Sequence, residues 1–398
     1  MQRYPATDGR IYKAGYWLKA AACNDFSTDT QASSAGAIAF DWPGTRVVFR
    51  CRAQRIVLHF SGAQTYFQVR ILAPTANGLR EVSSRRVRAG CDIAIDLAAQ
   101  SASATPDDER LVHIAQCSEC RNQPVVFHGV SLDGCLLDQL ADAGEAAGLS
   151  ATNTADTFDG VDEFFGAAPG RCSPRLEFIG DSYFVGYGNL LPETAPMRDG
   201  LPDDQIDQHT DTQQAMAALA AGYLNLPWRL RAVSGRGLVR NYPGQALHLP
   251  TLPECVNQSL HAAPLAPAIR AAQLHTGPVI YVVNLGTNDF STRPDAGEKY
   301  TELSSLRAAF LEKYTELVAQ LCTTHAQAKV LLVGVPHPNS SLQASLLQQL
   351  AGQLGAHLPV HFCQLPEVGL HGCDAHPNLA GHRQCAQVLA KSLRRILR

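Results

Sequence analysis

The chain has 398 residues, of which 45% are hydrophobic and 17% charged, values typical of folded proteins and too apolar for a disordered one. Its 33 basic and 36 acidic side chains give a formal charge of -3, which provides no electrostatic basis for binding nucleic acid or an anionic membrane. This length predicts two or three domains. We interpret the twelve cysteines mainly as buried thiols, with one or two disulfides as the alternative for an exported protein.

No stretch of the sequence approaches the roughly 18 consecutive apolar residues that a membrane-spanning helix needs. Residues 1–8 lack the apolar segment of a secretory signal, so we expect either a cytoplasmic protein or one whose leader has been removed. The sequence gives no indication of an oligomeric state.

The first part of the chain has the period of β-strands. Residues 36–135 alternate apolar and polar side chains, so that Phe67, Val69 and Ile71 fall on one strand face. Short apolar runs separated by turn signals are typical of an antiparallel sandwich. We therefore predict a β-sandwich domain over residues 1–150.

A connector and then a second pattern follow. Residues 151–173 are rich in Ala, Gly, Thr and Asp and are predicted to be a linker. From residue 174 to 398 apolar runs alternate with helical stretches, which predicts a parallel sheet between two helix layers, a three-layer αβα domain. The predicted strands of this domain are 176–179, 229–233, 279–285, 330–335 and 360–365.

Polar residues follow several of the predicted parallel strands. The carboxyl ends of such strands meet at one edge of the sheet, where ligands bind. The residues in question are Gly180-Asp181-Ser182, Ser234-Gly235-Arg236-Gly237, Gly286-Thr287-Asn288-Asp289 and Asp374-Ala375-His376. We expect these four segments to form one site, although they are far apart along the chain.

This set of residue types fits acyl transfer. A serine hydroxyl such as Ser182 needs a neighbouring base, and His376 can accept its proton near neutral pH. Asp374, two residues upstream, is the candidate for orienting the imidazole. The candidate oxyanion donors are the N–H groups of Ser182 and Gly235 and the side-chain amide of Asn288.

The four segments together resemble the conserved blocks of the SGNH (GDSL-type) hydrolases, in the expected order. More of the sequence is similar to carbohydrate esterase family two, which joins a jelly-roll β-sandwich to an SGNH domain. The motifs that carry this second resemblance are Trp42-Pro43-Gly44, the run from Arg175 to Ser182, Gly186-Tyr187-Gly188, and the run from Ser234 to Tyr242.

The resemblance implies an enzyme that removes O-acetyl groups, preferentially at the 6-position, from sugars in xylan, mannan and related glycans, without a metal or other cofactor. It implies that Ser182 is the nucleophile, His376 the base and acid, and Gly235 and Asn288 oxyanion donors. Some members orient the histidine without a carboxylate, so the resemblance leaves the role of Asp374 open. Ala375 departs from the family pattern, in which an aromatic residue often stands. If a leader has been removed, the resemblance implies a secreted or periplasmic protein.

Other residues near these segments have structural alternatives. We expect Asp289 to form an Asx turn and Gly237 to serve a turn rather than the oxyanion. Tyr187 and Tyr242 are candidate substrate-binding side chains that could stack on a sugar. Cys117-Ser118-Glu119-Cys120 has the spacing of half a zinc knuckle, but no second cysteine pair at suitable spacing accompanies it, so no metal site is predicted.

Two other functions stay open at the level of sequence. The same serine chemistry could act on a lipid or thioester, in which case the rate would rise with acyl chain length. Alternatively, the protein could bind glycans and carry an inactive hydrolase domain, which the presence of Ser182, Asn288 and His376 disfavours. The leading hypothesis is an esterase whose partner is an acetylated carbohydrate.

Overall fold

We describe the protein from a computed structural model. The described residues are 1–20, 36–75, 78–97, 108–138, 174–195, 199–244, 249–262, 277–325, 327–335 and 341–398. The chain divides into two compact units, Met1–Arg171 with Gln258–Arg270, and Cys172–Asn257 with Ala271–Arg398. The predicted linker at 151–173 lies outside the described residues, so the predicted domain boundaries stay a prediction.

The first unit consists of two antiparallel sheets. One has the strand order β3-β4-β11-β6-β9 with β1 paired to β11, and the other has the order β12-β5-β10-β7-β8 with β2 paired to β5. The strands are β1 Gln2–Pro5, β2 Tyr12–Ala14, β3 Leu18–Lys19, β4 Ile38–Phe40, β5 Arg46–Arg52, β6 Arg55–Gly62, β7 Tyr66–Thr75, β8 Gly78–Arg88, β9 Ile93–Asp96, β10 Glu109–Gln116, β11 Val125–Leu132 and β12 Cys135–Leu137.

Aromatic rings join the two sheets of the first unit. The ring of Phe67 on β7 lies 5.2 Å from that of Phe60 on β6 and 6.0 Å from that of Phe40 on β4, measured between centroids. Phe67, Val69 and Ile71 are all buried, as the alternation predicts. The sandwich prediction is confirmed, because each sheet buries one face against the other.

A segment late in the chain belongs to the first unit. The carboxylate of Asp41 accepts hydrogen bonds from the backbone N–H groups of His261 and Ala262, at 3.0 and 2.7 Å. The indole of Trp42 donates to the carbonyl of Gln258, and Leu260 lies in a small apolar cluster of this unit. The chain therefore leaves the second unit after Asn257 and returns to it at Ala271.

The second unit contains a five-stranded sheet, in which every neighbouring pair is parallel. Its order is β14-β13-β15-β16-β17. The strands are β13 Arg175–Gly180, β14 Trp228–Ala232, β15 Val279–Val283, β16 Ala328–Gly334 and β17 Val360–Gln364. All five predicted strands are found, and the αβα architecture is confirmed.

Helices cover this sheet. They are α1 Ser182–Val185, α2 Asp203–Gln208, α3 Met216–Leu224, α4 Leu252–Cys255, α5 Thr287–Phe290, α6 Leu303–Thr324, α7 Ser341–Leu354 and α8 Leu379–Leu397, with 3-10 turns at Thr212–Gln214 and Cys373–Ala375. Leu389, Leu393 and Ile396 of α8 are buried together, because they recur at helical spacing on one face. None of the helices in the described part of the chain is long and apolar enough to cross a membrane.

None of the ten cysteines among the described residues is in a disulfide, and seven of them are buried. Cys117 and Cys120 are both in the buried group, and the side-chain amide of Gln116 donates to the sulfur of Cys120. The interpretation of the cysteines as mainly buried thiols therefore agrees with the described residues.

Candidate active site

The order of the parallel sheet places three loops side by side. Strand β13 has β14 on one side and β15 on the other, so the loops after these three strands leave the sheet at neighbouring points. The first loop begins α1 at Ser182, with Asp181 as the N-cap residue whose carboxylate accepts from the N–H of Tyr183 at 3.1 Å. The second loop contains Gly235, and the third leads into α5 with Asn288.

Ser182 and His376 form a direct hydrogen bond. The Oγ of Ser182 lies 2.7 Å from Nε2 of His376, although the two residues are far apart in the sequence. The other ring nitrogen, Nδ1, lies 3.0 Å from the carbonyl oxygens of both Cys373 and Asp374. Because carbonyl oxygens only accept hydrogen bonds, these contacts assign the proton to Nδ1. Nε2 is then the unprotonated nitrogen and can accept the hydroxyl proton of Ser182.

The carboxylate of Asp374 has different partners from the one that we expected. It accepts a hydrogen bond from the hydroxyl of Tyr187 at 3.0 Å and another from the N–H of Gly200 at 2.8 Å. These hydrogen bonds do not include the imidazole contact that we expected for this carboxylate, and a role of Asp374 in the reaction stays a prediction. Asp374 and Ala375 have φ values of 45° and 55°, and this left-handed turn brings two backbone carbonyls to Nδ1.

The two tyrosines singled out in the sequence occupy different positions. The ring of Tyr187 is partly buried and lies 4.8 Å from the imidazole of His376, between centroids. Tyr242 is 54% exposed, and its N–H donates to the carbonyl of Gly235 at 2.8 Å. Tyr242 thus lies beside the predicted oxyanion donor, whereas Tyr187 packs on the base.

The candidate oxyanion donors lie on adjacent loops. Gly235 has a φ of 77°, and a Cβ added there would meet nothing within 4 Å, so this side of the residue is open. The amide of Asn288 donates to the carbonyl of Arg236 at 2.8 Å and has a longer contact of 3.4 Å with the carboxylate of Asp181. Asn288 therefore lies against the loop that carries Gly235. The assignment of these donors stays a prediction.

Asp289 has a role that sequence reasoning missed. We expected an Asx turn, but its buried carboxylate accepts from three successive backbone N–H groups of another loop: Leu238 at 2.9 Å, Val239 at 2.8 Å and Arg240 at 3.0 Å. Gly237 precedes these residues, and its own N–H donates to the side chain of Asn241, as befits a turn glycine. The only sequence signal was the position of Asp289 directly after Asn288.

Burial dominates the electrostatics behind the site. It raises the pKa of Asp181 to about 7, and the charge of the nearby Asp289 adds to this shift. It raises the pKa of Asp289 to about 6 against the opposing effect of its backbone hydrogen bonds. His382 on α8 is also buried, which lowers its pKa to about 3, and its Nδ1 lies 3.2 Å from the N–H of Met216. His382 is therefore neutral at pH 7.

Comparison with known proteins identifies the family. The model of the GDSL-like lipase/acylhydrolase family matches residues 178–384. The chain belongs to this family. The matched part of this GDSL-like hydrolase includes Ser182, Gly235, Asn288 and His376, the residues that the sequence analysis selected.

Two curated relatives are carbohydrate-active enzymes. The chain is 31% identical over 221 residues to an acetylxylan esterase/glucomannan deacetylase of Cellvibrio japonicus, a match that covers 55% of this chain and 58% of that protein. It is 26% identical over 239 residues to the cellulase/esterase CelE of Acetivibrio thermocellus, covering 57% of this chain and 26% of that protein. The matches thus span about three fifths and one quarter of the lengths of these relatives.

Solved structures with the same fold extend over the whole chain. A family two carbohydrate esterase from Cellvibrio japonicus superposes with a TM-score of 0.71 at 19% identity, covering 100% of this chain and 98% of that one. An acetyl xylan esterase from the rumen bacterium Butyrivibrio proteoclasticus gives 0.68 at 17% identity, covering 100% and 98%. The GDSL-like hydrolase therefore has the two-part fold that its resemblance to family two implied.

Within the residues that the structure describes, no group of three or more His, Cys, Asp or Glu side chains is arranged to hold a metal ion.

Proposed function

We propose that this protein is a serine esterase that removes O-acetyl groups from a carbohydrate through an acetyl-enzyme. The observation that carries the proposal is the 2.7 Å hydrogen bond between Ser182 and His376, with the proton of the imidazole held on the opposite nitrogen. The relative from Cellvibrio japonicus that is named as an acetylxylan esterase and glucomannan deacetylase supports the substrate class.

In the first half of the reaction, the Oγ of Ser182 attacks the carbonyl carbon of the acetyl group while Nε2 of His376 takes the hydroxyl proton. Negative charge then develops on the former carbonyl oxygen, and the N–H groups of Ser182 and Gly235 and the amide of Asn288 stabilise it. The imidazolium returns its proton to the sugar oxygen as the ester bond breaks. The alcohol leaves with a free hydroxyl.

In the second half, water takes the place of the sugar. Nε2 of His376 removes a proton from this water, and the hydroxide oxygen attacks the acetyl carbonyl. The tetrahedral intermediate collapses, the proton returns to Oγ of Ser182, and acetate leaves. The balance is one ester and one water consumed for one alcohol and one acetic acid.

In this mechanism, backbone carbonyl groups orient the imidazole, a role that an acidic side chain has in the usual catalytic triad. The carbonyl oxygens of Cys373 and Asp374 fix the ring orientation and stabilise the positive charge on the imidazolium by charge–dipole interaction. The carboxylate of Asp374 acts one step further away, since it holds Tyr187, whose ring packs on the imidazole. We therefore assign Ser182 and His376 to the reaction itself and Asp374 to positioning.

We test the activity by measuring acetate release from 4-nitrophenyl acetate and from acetylated xylan and glucomannan. The Ser182→Ala variant should lose about 10³-fold or more in kcat on every substrate. Equal rates for wild type and variant would overturn the mechanism. Deacetylation positions on mono-, oligo- and polysaccharides, read by NMR, test the proposed preference for the primary 6-hydroxyl.

The same panel separates the rival functions. A rate that rises from acetyl to longer acyl esters would favour a lipase or thioesterase. Binding of an oligosaccharide without turnover would favour a glycan-binding protein instead.

A further inference from the structure

The loop that carries Gly235 is held by two consecutive residues of α5. Asn288 binds the carbonyl of Arg236, the residue directly after Gly235, at 2.8 Å. The carboxylate of its neighbour Asp289 accepts hydrogen bonds from three N–H groups of the same loop, those of residues 238 to 240. The loop therefore contacts one turn of helix through both a donor and an acceptor.

The two glycines of this loop differ in the space around them. Gly235 itself has open space on the side where a Cβ would be. At Gly237, by contrast, an added Cβ would clash with the carbonyl of Arg240 and would lie 2.6 Å from the carboxylate of Asp289. The loop backbone can therefore approach Asp289 this closely only because residue 237 is a glycine without a Cβ.

Arg240 completes the attachment from the other direction. Its guanidinium donates to the carbonyl oxygen of Asp289 at 3.0 Å and forms a buried ion pair with Glu298. Residues 289 and 240 therefore bind each other twice, once through the carboxylate and once through the carbonyl of Asp289. A buried carboxylate with three charge-assisted hydrogen bonds fixes backbone position more firmly than neutral partners would.

From this geometry we infer that Asp289 is a positioning residue for the oxyanion hole: its carboxylate fixes the loop of Gly235 relative to Asn288. The inference rests on the proposed esterase function and adds a residue to it. The geometry of an oxyanion hole must be set before the reaction, because donors that reorganise during the reaction stabilise the developing charge less. Asp289 touches neither substrate nor Ser182 in this role; it acts through the loop.

The test compares Asp289→Ala and Asp289→Asn with a matched control, Asp41→Asn. Asp41 is also a fully buried carboxylate that accepts backbone N–H groups, but it lies in the sandwich unit. We expect kcat for 4-nitrophenyl acetate to fall about 10²-fold in Asp289→Ala, with KM changed less than about threefold. Asp289→Asn keeps one acceptor oxygen and should fall in between, whereas Asp41→Asn should keep kcat in its folded fraction.

Hydrogen exchange read by mass spectrometry gives a second measurement that does not depend on turnover. Peptides covering residues 236–244 should exchange faster in Asp289→Ala than in wild type, and should not in Asp41→Asn. Unchanged kcat in the folded fraction of Asp289→Ala, or unchanged exchange in these peptides, would overturn the inference while leaving the esterase intact. If wild type hydrolyses 4-nitrophenyl acetate but deacetylates no sugar, and Asp289→Ala loses kcat on 4-nitrophenyl acetate, the positioning role of Asp289 is supported and the sugar substrate is overturned. Absence of any esterase activity in wild type would overturn both.

Discussion

The hydroxyl of Tyr187 donates to the carboxylate of Asp374 over 3.0 Å, while the ring of the same tyrosine lies 4.8 Å from the imidazole of His376. The acidic residue two positions before the base therefore reaches the base through an aromatic ring. Contact with Nδ1 comes from the carbonyl oxygens of the loop. This arrangement predicts unequal effects of substitutions at the two positions.

We expect Asp374→Ala to lower kcat by about tenfold, against a loss of about 10³-fold or more for His376→Ala. The reason is that the alanine variant keeps the backbone carbonyl at residue 374 and loses only the hydrogen bonds that the carboxylate accepts from Tyr187 and Gly200. Steady-state hydrolysis of 4-nitrophenyl acetate measures both values. Tyr187→Phe is the matched control, since it removes the hydrogen bond between Tyr187 and Asp374 and keeps that from Gly200, and the double variant should be no slower than the slower single variant. Equal losses at residues 374 and 376 would instead assign the carboxylate a direct role.

Alanine substitutions at the two glycines of the second loop should affect different properties: kcat at Gly235 and stability at Gly237. Gly235→Ala meets no neighbouring atom within 4 Å, so it should destabilise the fold by only about 1–2 kcal/mol, the usual cost of a left-handed residue other than glycine. It should nevertheless lower kcat, because its methyl group enters the open side of the proposed oxyanion hole.

Gly237→Ala clashes with backbone and with the carboxylate of Asp289, so we expect mainly a loss of stability, about 1–3 kcal/mol or more. Urea unfolding and kcat measured on the same preparations separate the two effects. A Gly235→Ala variant with wild-type kcat would argue against an oxyanion role for this loop.

Tyr242 provides a test of substrate binding. It is 54% exposed and lies beside Gly235, so a sugar ring bound at the site could stack on it. We expect Tyr242→Ala to raise KM for an acetylated oligosaccharide by about tenfold, an effect of about 1.4 kcal/mol. The values of kcat and KM for 4-nitrophenyl acetate should stay unchanged, since this substrate has no sugar. Parallel changes on both substrates would indicate a disturbed loop rather than a lost stacking surface.

The buried carboxylate of Asp181 should leave a signature in the pH dependence of stability. Burial raises its pKa from an ordinary 3.8 to about 7, so between these pH values the folded protein binds more protons than the unfolded chain. The contribution of Asp181 to stability is therefore present at low pH and is lost as the pH rises through about 7. Asp181→Asn lacks this titration. We expect the unfolding free energy of wild type minus that of the variant to fall from pH 4 to pH 7, measured with urea. A constant difference would contradict the raised pKa.

Much of the second unit could be predicted from the sequence because β15 and nearly all of β16 are buried on both faces. Such strands appear as continuous apolar runs, and the polar residues that end them are therefore visible. The meeting of Ser182 with His376 was expected because parallel strands bring their carboxyl ends to one edge, and because the segments that carry them resemble blocks of the SGNH hydrolases.

The remaining features depend on geometry that residue types do not specify. The turn at Asp374 and Ala375 uses left-handed backbone at two positions without glycine, so no signal indicated that carbonyls would replace the carboxylate. Asp289 finds its partners in backbone N–H groups, which every residue but proline offers, so sequence cannot single them out. The return of residues 258 to 262 to the sandwich likewise rests on a few contacts without any periodic pattern.

That return has a consequence for how the protein can be divided. A cut after residue 171 would separate Asp41 and Trp42 from residues 258–262, in which they form hydrogen bonds with Gln258, His261 and Ala262. The hydrolase half would then keep residues 258–262 without the sandwich residues that they contact, and Leu260 would lose its packing partners. The two halves therefore cannot be exchanged as independent units. A shuffled or truncated version would need changes in residues 258–262 as well as at the junction.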